Sequence, residues 1–157
     1  MNPLLTKLQP YPFERLKQLF LSVTPNSDLK PISLGIGEPK HATPEFIKTA
    51  LVSSLDGLAS YPATAGEPKL REAFAAWLHK RYNLTVSAST QVLPVNGSRE
   101  ALFAFTQVIV DPNKTPNKAP IVVCPNPFYQ IYEGAALLAG AEPYYVNSDP
   151  ARNFGVD

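Results

Sequence analysis

Residues 92–103, Val-Leu-Pro-Val-Asn-Gly-Ser-Arg-Glu-Ala-Leu-Phe, carry an extended apolar stretch into a glycine turn and open a helix immediately behind it. This junction constrains the chain more than any other segment. A helix that begins where a strand ends points its free N–H groups, and the positive end of its dipole, at whatever lies above the strand. A phosphate is the natural occupant of such a place. The same twelve residues also fit a plain strand-to-helix turn with Ser98 as N-cap. Short motifs decide little alone, so the surrounding pattern must choose.

That pattern is one of alternation. Residues 12–23 space Phe13, Leu16, Leu19, Phe20 and Val23 as a helix, with Pro12 near its start. Residues 32–36 form a short expected strand that runs into Gly37-Glu38-Pro39. Thr43-Pro44-Glu45 supplies an N-cap, a first-turn proline and an acidic residue for a helix to about Leu55, whose buried side is Phe46, Ile47, Ala50, Leu51 and Leu55. After a turn-rich stretch at 58–66, Pro68–Tyr82 has the rhythm of an amphipathic helix burying Leu70, Phe74, Trp77 and Leu78.

From there the expected order is strand 91–95, helix 98–110 with Leu102, Phe105 and Ile109 inward, a polar loop at 111–118, strand 120–124, helix 129–139 and strand 142–146. Strands alternating with helices of this length predict an α/β fold with a mostly parallel sheet. Ile121–Cys124 is an unbroken apolar run, as a strand covered on both faces requires. Ligands of such sheets bind beyond the carboxyl ends of the strands. Asn96-Gly97-Ser98 and Pro125-Asn126-Pro127-Phe128-Tyr129 both occupy that position, so a helix N-terminus and an aromatic ring would together cradle a flat, phosphorylated ligand.

Composition narrows the classes. With 157 residues, 45% hydrophobic and 17% charged, the chain is globular and long enough to bury a core. Its 14 basic and 13 acidic residues are spread evenly, which argues against nucleic acid or an anionic membrane as partner. One cysteine excludes an internal disulfide framework and suits a reducing compartment, and no apolar run is long enough for a secretory signal or a bilayer span, so a cytoplasmic location is expected. Cys124 fits a buried small hydrophobe better than a nucleophile. The 17 prolines, about twice the usual ~5% share, fall mostly at element ends.

Two other constellations fail. Gly35-Ile36-Gly37 is not a dinucleotide fingerprint, because the third glycine is missing and Pro39 follows where a helix should open. His41 and His79 have no ligand spacing with Cys124 or the carboxylates, so no metal site is expected.

Four segments, in this order, resemble the pyridoxal-phosphate aminotransferases of the aspartate aminotransferase superfamily. They are Leu34-Gly-Ile-Gly37-Glu38-Pro39 with Thr43-Pro44, Ser60-Tyr61-Pro-Ala-Thr-Ala-Gly66 with Leu70-Arg71, Asn96-Gly97-Ser98-Arg99-Glu100-Ala101-Leu102, and Pro125-Asn-Pro-Phe-Tyr129-Gln-Ile-Tyr132. The first is most similar to bacterial N-succinyldiaminopimelate aminotransferases of lysine biosynthesis.

The resemblance implies the N-terminal part of a three-layer α/β/α transferase fold, incomplete here. Residues 1–40 would be an arm with part of a small domain, and 41–157 the first half of the large cofactor domain. It implies pyridoxal 5'-phosphate as cofactor, and an amino donor with a 2-oxo acid, N-succinyl-diaminopimelate and 2-oxoglutarate, as substrates. The backbone N–H groups of Gly97, Ser98 and Arg99, with the Ser98 hydroxyl, would hold the cofactor phosphate, and Tyr129 would stack on its ring. Tyr61 would reach the phosphate in the other subunit of a homodimer, and Gly37 would lie against the substrate carboxylate. Tyr132 is open between site lining and core packing.

No catalytic residue is assigned. Transamination needs a Schiff-base lysine that also shuttles a proton, and an acidic partner for the pyridine nitrogen. In the family both come later than the segments matched here, and no lysine present has a matching context. The expectation is a fragment without turnover of its own. A lyase or synthase of the same fold, or a non-catalytic aminotransferase-like interaction domain, are the alternatives.

Overall fold

The computed structural model describes residues 1–156. They form two compact units, one of residues 1–18 with 95–156 and the other of Leu19–Pro94.

The first unit is built around a parallel pair of strands, β1 (Ile121–Asn126) and β2 (Glu142–Asn147), in register from Ile121 opposite Glu142 to Asn126 opposite Asn147. Three helices belong to it. They are α1 (Pro12–Leu19, at the boundary between the units), α4 (Ser98–Ile109) and α5 (Gln130–Leu138), the last being the crossover between the strands. Successive residues of a strand face opposite ways, so Val122 and Cys124 share a face with Pro143 and Tyr145. The Asn126 side-chain amide donates across that face to the side-chain Oδ1 of Asn147 at 2.8 Å.

The core is made of small side chains. Cys124, Ala135, Ala136 and Ala141 are the buried hydrophobic residues among those described, and all four lie where α5 meets the strands. Alanines on the helix let it approach closely, and Gly140, at φ +78°, turns the chain back into β2. Burial pushes the Cys124 thiol above its ordinary pKa, as expected of an inert core cysteine. α4 also packs against α5, and the Gln107 amide donates to the Ala135 carbonyl at 3.1 Å. A 3-10 turn at Pro3–Lys7 docks on α5, with Leu8 against Gly134.

The second unit holds α2 (Glu45–Ser53) and α3 (Pro68–Tyr82). A proline at the first position starts α3, and Asn83 ends it in the left-handed region, φ 54°, returning its N–H to the His79 carbonyl at 2.9 Å. Arg71 reaches out of α3 to the Ala88 and Ser89 carbonyls at 3.3 Å. Gly66 is the one strict glycine here. Its φ is +81°, and a Cβ would lie 2.5 Å from Pro94 Cγ.

Several expectations are corrected. Residues 32–36 and 91–95 form no strand, because a strand exists only through its ladder and none of the described residues pairs with them. Pro94 also lacks the donor a central strand needs. The helix expected at 12–23 stops at Leu19, and α2 starts one residue later than expected, with Pro44 rather than Thr43 as N-cap. The anticipated inward faces are solvent-exposed: Phe46, Ile47, Leu51 and Leu55 at α2, Leu70, Phe74 and Trp77 on α3, and Leu102, Phe105 and Ile109 on α4. Periodicity specifies which side of a helix is apolar, and no described element covers those sides. The α/β reading with parallel pairing stands, as an incomplete sheet.

Candidate functional site

The structure brings together two of the four segments singled out above, the Gly97–Arg99 turn and Tyr129, in the first unit. Gly97, not Ser98, is the N-cap of α4, in extended backbone (φ −173°, ψ 149°), and no side chain caps the helix. Ser98 and Arg99 are therefore the first helical residues. The N–H groups of the first turn have no intrahelical acceptor, and among the described residues no side chain supplies one. The Ser98 hydroxyl stands at the same place, exposed. The Glu100 carboxylate reaches back towards Gly97, where its Oε2 lies 2.5 Å from the position a Cβ would take. An anion at this turn would meet that carboxylate, which sits on a flexible, exposed side chain free to swing away.

Tyr129 is the N-cap of α5 and follows the cis peptide Asn126–Pro127. Its hydroxyl accepts a hydrogen bond from Arg99 Nε at 2.7 Å, and the guanidinium carbon lies 5.9 Å from the ring centroid. This bond raises the pKa of the already basic guanidinium. Tyr132 meets the Tyr129 ring edge-on, with centroids 5.9 Å apart and planes at 88°, so Tyr132 buttresses that ring from α5. A cleft of about 310 Å3 runs beside this group, bounded by Leu8 and Tyr11 of the N-terminal segment, Phe103 of α4 and Leu138 of α5, and no lysine lines it.

A second polar pair joins β2 to α5. Tyr145 on β2 donates its hydroxyl to the Glu133 carboxylate, and its ring packs against Phe128 with centroids 4.9 Å apart. Burial and then Glu133 push the Tyr145 pKa up to about 12.

Gly37 and Tyr61 belong to the second unit. Tyr61 is fully exposed, and Gly37 has open space where a Cβ would project. Gly37 is not at positive φ, so the turn itself does not demand glycine there. Arg99–Tyr129 was not legible in the sequence, since thirty residues separate the partners and neither neighbourhood announces the other.

Residues 30–157 match the family described as aminotransferase class I and II. An LL-diaminopimelate aminotransferase of Dehalococcoides mccartyi is 34% identical over 125 residues, 78% of this chain and 31% of the relative. The crystal structure of an aminotransferase from Neisseria meningitidis Z2491 superposes with a TM-score of 0.90 at 49% identity, covering 100% of this chain and 39% of that one. Aminotransferase AspB of Helicobacter pylori 26695 gives 0.82 at 35% identity, over 96% of this chain and 38% of its own. The chain thus spans about a third of the length of the curated relatives it matches.

Proposed function

The chain belongs to the class I and II aminotransferases, a pyridoxal-phosphate-dependent family, and from that premise we propose that it contributes the phosphate-and-ring part of a transaminase site. The uncapped N-terminus of α4 carries this reading. The uncapped first-turn N–H groups and the exposed Ser98 hydroxyl lie at the positive end of a twelve-residue helix, which suits a phosphate dianion. Gly97, Ser98 and the backbone of Arg99 would hold the phosphate, and Tyr129 would lie against the pyridine ring. When bound, pyridoxal phosphate supplies an electron sink for charge developing at the substrate's α-carbon. The residues present bind and orient the cofactor, and the proton transfers need a lysine that this cleft does not contain.

The finer assignments rest on resemblance. We assign Tyr61 to the phosphate of the partner subunit in a homodimer and Gly37 to the substrate carboxylate. Residues 1–40 are assigned to the arm and part of the small domain, and 41–157 to the large cofactor domain, in a cytoplasmic enzyme. The substrate proposal is a diaminopimelate-type amino donor with 2-oxoglutarate as acceptor. The sequence resemblance favours the N-succinyl form and the relatives' names the free LL form.

The test is a pyridoxal-phosphate titration in the presence of inorganic phosphate. Competition by phosphate, and loss of binding in Ser98→Asp, which brings a negative charge to the turn, are the expected results. Binding that is indifferent to both would place the cofactor elsewhere and refute the proposal.

A further inference from the structure

Arg99 opens a helix beside a turn suited to a phosphate, and an arginine there invites assignment as a phosphate ligand. The structure gives its side chain other work. The Nε–H is spent on the Tyr129 hydroxyl at 2.7 Å, and the guanidinium carbon stands 5.9 Å from the same ring. Tyr132 closes the opposite constraint by meeting the ring edge-on at 5.9 Å.

We propose that Arg99 is a positioning residue that fixes the Tyr129 ring through its hydroxyl, leaving the phosphate to the α4 backbone and Ser98. For its bearing on the cofactor this rests on the transaminase reading. The hydrogen bond itself does not. The planar fork of arginine suits the task, since it holds a phenol oxygen in one fixed direction, whereas an ammonium on a flexible stem does not.

Two measurements on the 157-residue chain test it. In the first, solvent exchange of the Arg99 Nε–H is followed by 15N NMR, the resonance being identified by its loss in Arg99→Lys. Exchange in the wild type should be at least about tenfold slower than in Tyr129→Phe, as a hydrogen bond from a charged donor implies. Equal rates would overturn the proposal.

In the second, pyridoxal-phosphate affinity is measured across a double-mutant cycle. Arg99→Gln and Tyr129→Phe should each weaken binding roughly three- to tenfold, with the double variant no weaker than the worse single one, because both break the same bond. Arg99→Lys should resemble Arg99→Gln. Additive losses, or full recovery by lysine, would mean that Arg99 meets the cofactor directly through its charge. If the wild type takes up no pyridoxal phosphate, the transaminase reading fails, and the exchange measurement still decides the positioning role.

Discussion

The two units of this chain carry similar amphipathic helices and treat them differently. In the first, α5 is pinned between strands and α4 by buried alanines, Cys124 and the Gln107 hydrogen bond. In the second, none of the residues 19–94 is fully buried, and the apolar faces of α2 and α3 lie open. Helix rhythm is therefore not a report on burial. What separates the units is the presence of a parallel ladder, which gives α5 a flat surface to pack on.

The largest expected effect comes from crowding that surface. Ala136→Leu forces three extra carbons into a fully buried position and should cost about 1–3 kcal/mol or more in urea unfolding. The matching change Ala73→Leu on exposed α3 should stay within about 0.5 kcal/mol. Similar losses at both positions would erase the contrast between the units.

Gly66 is where the second unit should behave like the first. Gly66→Ala meets Pro94 and the left-handed penalty together, so a destabilisation of about 1–2 kcal/mol is expected. Gly57→Ala, which has nothing within 4 Å of its Cβ position, should be neutral or mildly stabilising. The readout is protease resistance of the 19–94 segment within the whole chain, and equal resistance in both variants would remove Gly66 from its assigned role.

The smallest effect concerns pH. Tyr145 ionises near pH 10 when unfolded and at about 12 in the fold, so the protonated phenol is favoured by folding. Its contribution is complete below pH 10 and is lost as pH rises through about 12. In an ultraviolet phenolate titration, Tyr145→Phe should remove the last-titrating component, and Glu133→Gln should shift it downwards.

What could be read beforehand divides along physical lines. The ends of α3 were legible, because Pro68 and Asn83 act locally on their own turns. β1, α5 and β2 were placed to within about two residues by hydrophobic runs and turn residues. The strands anticipated at 32–36 and 91–95 were not formed, since pairing is a long-range property that no window of sequence contains. The same holds at the site. Gly97-Ser98 announced itself through a local turn, whereas the Arg99–Tyr129 bond joins two helix starts that only the tertiary fold brings together.

We propose that the Gly97–Arg99 turn and Tyr129 supply the phosphate and ring contacts of a transaminase site, beside a cleft that no lysine lines. Saturation with pyridoxal phosphate, borohydride reduction and intact-mass measurement test it directly. Phosphate-competed binding with no stoichiometric adduct on any one lysine is the predicted result. One reduced cofactor per chain, fixed on a single lysine, would contradict it.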